Sequence, residues 1–347
     1  MGWKAILSMV KYLVSMRTFK KQERKYLCIM AKTITHSIDY CCELLEKGEV
    51  VAIPTETVYG LAASIRIPDA IEKIFNVKGR PKYNPLIVHI TGVDELSSVA
   101  KDIPEKALQL ATNFWPGPLT LILPKREGIS DLVTAGMPTV GVRVPGHPLT
   151  LKLLKQLDFP IAAPSANPFT RISPTSAKQV QNYFGDTITV LDGGSCQVGL
   201  ESTIVGFENG TPIIYRKGGI AIEAIEALVG KVNIVEKEIT TPVAPGMLAK
   251  HYSPKTELWV VTDIAKRLLK TPHKKVGILA FTSTNFDKAT MVKTLSPNAN
   301  LEEAAKNLYT YLNELDDANL DLIIAEKFPE VGLGVSINDR LKRASYR

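Results

Sequence analysis

The chain has 347 residues, 45% of them hydrophobic, a mean hydropathy of +0.04 and a formal net charge of +7. This is an ordinary globular composition and is long enough for about two domains. The charge gives no evidence of a basic face on the folded body: residues 1–30 hold Lys4, Lys11, Arg17, Lys20, Lys21, Arg24 and Lys25 against Glu23 alone, which leaves the other 317 residues at +1.

Residues 1–34 read as a basic, amphipathic leader with Trp3, Ile6, Leu7, Val10 and Val14 at helical spacing. Such a start could be a transit or membrane-surface segment, but it is not a spanning helix, because its longest uncharged run, Ala5 to Val10, falls far short of the ~20 apolar residues needed, and no stable membrane association is expected. We expect the leader to be dispensable, with Met30 as an alternative start. Cys28, Cys41, Cys42 and Cys196 form no C-x-x-C pair and no metal-ligand spacing appears, which favours a reduced, cytoplasmic setting. Cys41 and Cys42 lie in an amphipathic pattern that assigns at least one of them to the core.

From Thr35 to about Val235 apolar runs alternate with amphipathic segments of helical length. Strands are expected at Val50–Ile53, Leu86–Ile90, Leu119–Leu123, Val140–Val144, Ile161–Ala163, Ile188–Leu191, Thr203–Val205 and Ile213–Tyr215. Helices are expected at Ser37–Lys47, Pro68–Val77, Pro104–Phe114, Leu149–Leu157, Ser176–Phe184 and Ile220–Val229, with proline or glycine marking several ends. The economical architecture for residues 35–238 is α/β, with helices covering a twisted mixed sheet. Residues 239–256 carry three prolines and a glycine and read as a linker, but Met247, Leu248 and Tyr252 are large for a tether and suggest that it lies against something. Beyond it, strands at Leu258–Val261, Val276–Ala280 and Leu322–Ala325 and a helix at Leu301–Leu315 predict a second, small α/β domain over 257–347 with a parallel sheet.

The residues that could carry chemistry cluster at strand ends, where ligands bind in α/β sheets. Pro54-Thr55-Glu56-Thr57-Val58-Tyr59-Gly60 follows the first strand. Lys78, Arg80, Lys82 and Asn84 follow a helix, and His89 ends the next apolar run. Thr139, Gly141 and Arg143 share one face of a strand. An arginine there needs either an anionic ligand or a structural partner such as Asp192 or Glu201. Trp115 reads as packing. Ser165 and Asn167 are bracketed by prolines, Arg171 and Ser173 follow, and Ser202, Arg216 and Lys217 lie near later strand ends. Such loops offer cations, hydroxyls and backbone N–H groups to phosphate. No P-loop, G-x-S-x-G elbow or close carboxylate pair is present, so catalysis by positioning and electrostatic stabilisation fits better than a protein nucleophile.

In order along the chain, P-T-E-T-V-Y-G-L, K-G-R-P-K-Y-N-P-L-I-V-H, F-W-P-G-P-L-T, V-G-V-R-V-P, P-S-A-N, E-S-T-I-V, the linker P-G-M-L-A-K-H-Y-S-P and a closing element from Gly332 to Leu341 resemble the Sua5/YrdC/YwlC family of threonylcarbamoyl-AMP synthases, in its two-domain form. The resemblance runs from about residue 35 to the C-terminus. It implies a YrdC-like catalytic domain followed by a small Rossmann-like domain. The implied activity is a nucleotidyltransferase reaction in which ATP, L-threonine and bicarbonate give threonylcarbamoyl-AMP and pyrophosphate. A downstream tRNA threonylcarbamoyl transferase complex would then modify adenosine 37 of tRNAs reading ANN codons.

The same resemblance implies roles for residues. Lys78, Arg80, Asn84, Thr139, Ser165, Ser173, Arg216 and Tyr252 are expected to hold ATP. Thr57 or nearby Thr55, with His89, Arg143, Ala163 through its backbone, and Ser202, are expected to hold L-threonine. Lys78, Arg80 and Arg143 would carry catalysis, and Tyr252 would make the linker a lid. Mg²⁺ is expected with the triphosphate, without a dedicated metal site. Weak RNA binding, double-stranded RNA included, is a secondary expectation. Two rivals remain. A hydrogenase-maturation carbamoyl transferase would bring zinc-finger cysteine pairs and an acylphosphatase-like segment, which are missing. A non-catalytic RNA-binding module would need a more basic body.

Overall fold

The computed structural model describes residues 34–235, 244–271 and 274–346. The expected leader up to residue 33 and the boundary at 238–239 lie outside them. Every expected strand and helix is present, with ends moved by no more than three residues.

Eleven strands form the first sheet: β1 (Ile34–Thr35), β2 (Val51–Ile53), β3 (Gly60–Ser64), β4 (Ile87–His89), β5 (Leu119–Pro124), β6 (Thr139–Arg143), β7 (Ile161–Ala162), β8 (Thr189–Leu191), β9 (Thr203–Glu208), β10 (Thr211–Arg216) and β11 (Asn233–Ile234). Their order is β1-β8-β2-β3-β7-β4-β6-β5-β9-β10-β11. The sheet is mixed: β2/β8, β4/β6 and β5/β9 are parallel, whereas β2/β3, β4/β7, β5/β6 and β9/β10 are antiparallel. Four strands form the second sheet: β12 (Glu257–Val261), β13 (Val276–Ala280), β14 (Met291–Thr294) and β15 (Leu322–Glu326), in the order β12-β15-β13-β14 and parallel throughout.

Two features of the fold deliver the site. Helix Pro68–Lys78 starts with proline in its first turn and ends at Gly79, whose φ of 60° turns the chain so that the Gly79 and Arg80 N–H groups bond back to Asn76 and Phe75. Ala70, Ile71, Ile74 and Phe75 bury its apolar face, and Lys78 is buried on the same face, so the last turn drives an amine into the protein. The parallel register of β4 with β6 then sets His89 beside Arg143, and β7 on the other flank of β4 leads into Ala163, Pro164 and Ser165.

The second sheet joins the first through a shared core. Val58, Ile172 and Leu200 from loops of the first sheet pack with Leu308, Tyr309 and Ile337 from helices Leu301–Asp316 and Leu333–Ala344. Contact there is so close that a Cβ on Gly199, at φ 74°, would stand 2.5 Å from the Ala305 carbonyl oxygen. Tyr252 of the linker belongs to the same core and is 1% exposed.

Candidate active site

Where the ends of β4, β6 and β10 meet the segments after β2 and β7 and the one before β9, Thr57, Arg80, His89, Arg143, Ala163, Ser165, Ser202, Arg216 and Tyr252 line one cavity. The register explains much of this grouping, because His89 and Arg143 are paired strand residues and Ser165 bridges to Gly60 across the sheet. Linker residues Pro245, Gly246, His251 and Tyr252 close it and leave a volume of about 50 Å³. Small-molecule sites run from ~300 Å³ upward, so in this arrangement the linker takes the space a nucleotide would need. Arg216 and Lys217 also border a cavity of about 550 Å³, which contains none of the residues expected to hold ATP or L-threonine other than Arg216, so size alone would misplace the site.

Three cations at or beside the cavity are buried with neutral hydrogen-bond partners. Lys78 Nζ donates to the carbonyls of Ser165 and Asn167, both at 2.5 Å. Arg80 donates through Nε to Asn84 O at 3.2 Å and through Nη2 to Pro85 O at 2.8 Å. Arg216 reaches Ser202 O at 3.0 Å, Ser202 Oγ at 2.9 Å and Pro245 O at 3.1 Å. Burial, and then the neighbouring Arg80, pushes the Lys78 ammonium well below its ordinary pKa, and burial with Arg216 brings Arg80 down to about 9. An arrangement that penalises its own charges is one that an incoming polyanion relieves. Asn84 completes it: the side chain is fully buried and neither Nδ2 nor Oδ1 has a partner.

His89 is held by one hydrogen bond, Nδ1 to Ile87 O at 3.2 Å, and burial followed by Arg143 keeps its pKa at about 3. It serves the site as a neutral imidazole. Of the two threonines, Thr57 lines the cavity. Thr55 holds the turn, with its Oγ1 2.7 Å from Thr57 Oγ1 and donating to Val58 O at 2.6 Å. Ser173 stands one step behind, donating to Glu201 Oε1 at 2.6 Å. Thr139 starts β6, two residues before Gly141, and is not among the residues that line the cavity.

Two expectations are corrected. Lys82 is exposed and pairs with Glu72, because the turn after Gly79 points it to solvent. Arg143 is paired neither with Asp192 nor with Glu201: its Nη2 donates to Glu56 Oε1 at 2.6 Å. Asp192 lies within reach of the Tyr59 hydroxyl, and Glu201 accepts from Arg340 Nε at 2.8 Å and from Tyr309 OH at 2.9 Å. Burial raises the Glu201 carboxyl, but Arg340 and Arg216 outweigh it and leave the pKa at about 2. Glu56, Tyr309, His251 and Arg340 are neighbours of the expected site residues that sequence reading did not single out, and Glu201 was named there only as a possible partner of Arg143. Arg340 comes from the second domain, is 1% exposed and also lies over the Tyr252 ring, 4.8 Å from its centroid.

A mixed sheet that gathers buried cations and hydroxyls into one cavity at its strand ends has the arrangement of an α/β enzyme. Comparison narrows the class. Residues 43–218 match the family described as telomere recombination, and residues 220–345 that described as threonylcarbamoyl-AMP synthase, C-terminal domain. The threonylcarbamoyl-AMP synthase of Pyrococcus abyssi is 41% identical, covering 87% of this chain and 92% of its own length. That of Bacillus subtilis is also 41% identical, covering 87% and 91%. The crystal structure of P. abyssi Sua5 complexed with L-threonine is similar at a TM-score of 0.83 and 40% identity, over 89% of this chain and 94% of that one. The chain belongs to the threonylcarbamoyl-AMP synthase family.

Proposed function

We propose that this protein is a threonylcarbamoyl-AMP synthase, a nucleotidyltransferase that converts ATP, L-threonine and bicarbonate into threonylcarbamoyl-AMP and pyrophosphate for transfer to tRNA by a separate threonylcarbamoyl transferase complex. The carrying observation is the set of buried cations, Lys78, Arg80 and Arg216, that have only carbonyl and hydroxyl partners. In the reaction the threonine amine becomes a carbamate, a carbamate oxygen attacks the α-phosphorus, and pyrophosphate leaves. Bringing two anions together is the electrostatic barrier, and fixed cations lower it without reorganising at the moment of reaction.

Lys78, Arg80 and Arg216 neutralise the phosphates, with Asn84, Ser165, Ser173 and Thr139 and the linker's Tyr252 as further nucleotide contacts. Arg143 takes the threonine carboxylate, a planar donor matched to a planar acceptor. Thr57, His89, Ser202 and the Ala163 backbone complete the amino-acid end. Among the described residues no three His, Cys, Asp or Glu side chains are grouped to hold a metal. In this reading Mg²⁺ would accompany the triphosphate and neutralise phosphate charge. Among the described residues no helix is long and apolar enough to cross a membrane. Pyrophosphate release, measured with threonine and bicarbonate omitted in turn, tests the proposal: both omissions should abolish it, and release independent of threonine would overturn it.

A further inference from the structure

The cations of the cavity are not equivalent. Lys78, Arg80 and Arg216 have neutral partners, whereas Arg143 is paired with a carboxylate, and the pair is nearly closed to solvent, at 6% and 13% exposed. Arg143 Nη2 donates to Glu56 Oε1 at 2.6 Å and Thr57 Oγ1 at 2.9 Å, and Nε donates to Gly117 O at 3.2 Å. Nη1 is the guanidinium nitrogen left without a protein partner among the described residues. Glu56 is itself pinned, because Oε2 accepts the Gly146 N–H at 2.8 Å and Gly146 has no Cβ to hold it off: one placed there would stand 3.2 Å from Glu56 Cδ. Glu56 does not line the cavity, so it acts through Arg143.

We infer that Glu56 is the positioning residue of the amino-acid end: it fixes the Arg143 guanidinium, leaves Nη1 to the substrate, and cancels its charge so that this end accepts the carboxylate of a zwitterion and rejects a polyanion. A guanidinium neutralised by a carboxylate in contact still donates to a second carboxylate at hydrogen-bond distance, but it contributes little field to a phosphate farther away. Polyphosphate is thereby directed to Lys78, Arg80 and Arg216, and the two substrates cannot exchange ends. The inference rests on the reading of Arg143 as the partner of the threonine carboxylate.

Titration calorimetry on the full chain tests it, with Glu56→Ala removing both anchor and charge and Glu56→Gln keeping the shape and an acceptor oxygen. In Glu56→Ala the Kd for L-threonine should rise at least ~10-fold while that for ATP stays within ~2-fold. In Glu56→Gln threonine affinity should return to within ~3-fold of the starting protein, but pyrophosphate should now compete with threonine, whereas with Glu56 present it should not. Threonine affinity unchanged in Glu56→Ala, equal loss for threonine and ATP, or no competition by pyrophosphate in Glu56→Gln would each overturn the inference. A native protein that bound no threonine at all would overturn the reading of the site instead.

Discussion

A buried ammonium whose acceptors are two carbonyls, and two buried guanidiniums with no hydrogen-bonded carboxylate, cost folding free energy that an anionic ligand would recover. Arg80→Met should therefore leave the melting temperature unchanged or raise it by a few degrees while weakening ATP at least ~10-fold. Thermal melts beside ATP titrations check this, and a variant destabilised by several degrees would show that Arg80 is structural. His251 gives a pH prediction. It is buried, Nδ1 has no partner, and burial is the main reason its pKa sits at about 3 against an ordinary 6.5. The seated linker thus excludes a proton that the open linker accepts. Its closure is at full strength above pH 6.5 and weakens as pH falls from there toward 3. At pH 5.5 the open form should gain about tenfold over pH 7.5 in hydrogen exchange of residues 244–253, and His251→Gln should remove that dependence. At this scale the sequence showed residue types and not partners. The cluster of Lys78, Arg80 and Asn84 was visible as a run, but Glu56 lay unremarked inside Pro54–Leu61 because its carboxylate meets a guanidinium 87 residues away.

Elements are positioned by a few backbone choices that the sequence displays only once their neighbours are known. Gly246 has φ 84°, and a Cβ there would stand 2.7 Å from the Tyr252 hydroxyl and 2.9 Å from Arg216 Cδ. Gly246→Ala should unseat the linker at a cost of about 1–3 kcal/mol. Limited proteolysis should then cut within 244–253 at least ~10-fold faster, with the global melting temperature little changed. Equal cleavage rates would mean that the linker tolerates the side chain by moving as a unit. Long apolar runs such as Leu119–Leu123 and Val276–Ala280 were legible as strands because nothing else buries them. β3 was not: Gly60-Leu-Ala-Ala-Ser64 has no β-branched residue, and it becomes a strand because β2 and β7 flank it and all five residues are buried. Helix Leu333–Ala344 was seen only as a closing element. Its meaning lies in Arg340, which a helical pattern would place on the buried face and hydropathy would place outside.

For the molecule as a whole, the second domain completes the first. Arg340 crosses the domain junction to Glu201, and Ser173 and Tyr309 satisfy the same carboxylate from either side. Arg340 also donates to the Lys217 carbonyl at 2.8 Å and covers the Tyr252 ring, so one side chain ties the second domain to the catalytic sheet and to the linker. Removing one partner of a buried pair strands the other, which costs about 3–5 kcal/mol, whereas replacing both by apolar groups is often nearly neutral. Glu201→Gln and Arg340→Met should each lower the denaturant midpoint strongly. Glu201→Leu with Arg340→Met should recover most of the loss, leaving the Ser173 and Tyr309 hydroxyls as the residual penalty. Because Glu201 titrates at about 2 instead of its ordinary 4.5, its contribution is complete above pH 4.5 and disappears as pH falls through 2. The double variant should therefore lose that part of the acid dependence of unfolding. Additive single and double effects would show that the two side chains act independently, and the junction would then rest on the apolar core of Val58, Ile172, Leu200 and Leu308 with its other polar contacts, such as Arg171 to Asp316 at 2.9 Å and Ser336 to the Gly218 carbonyl at 2.9 Å.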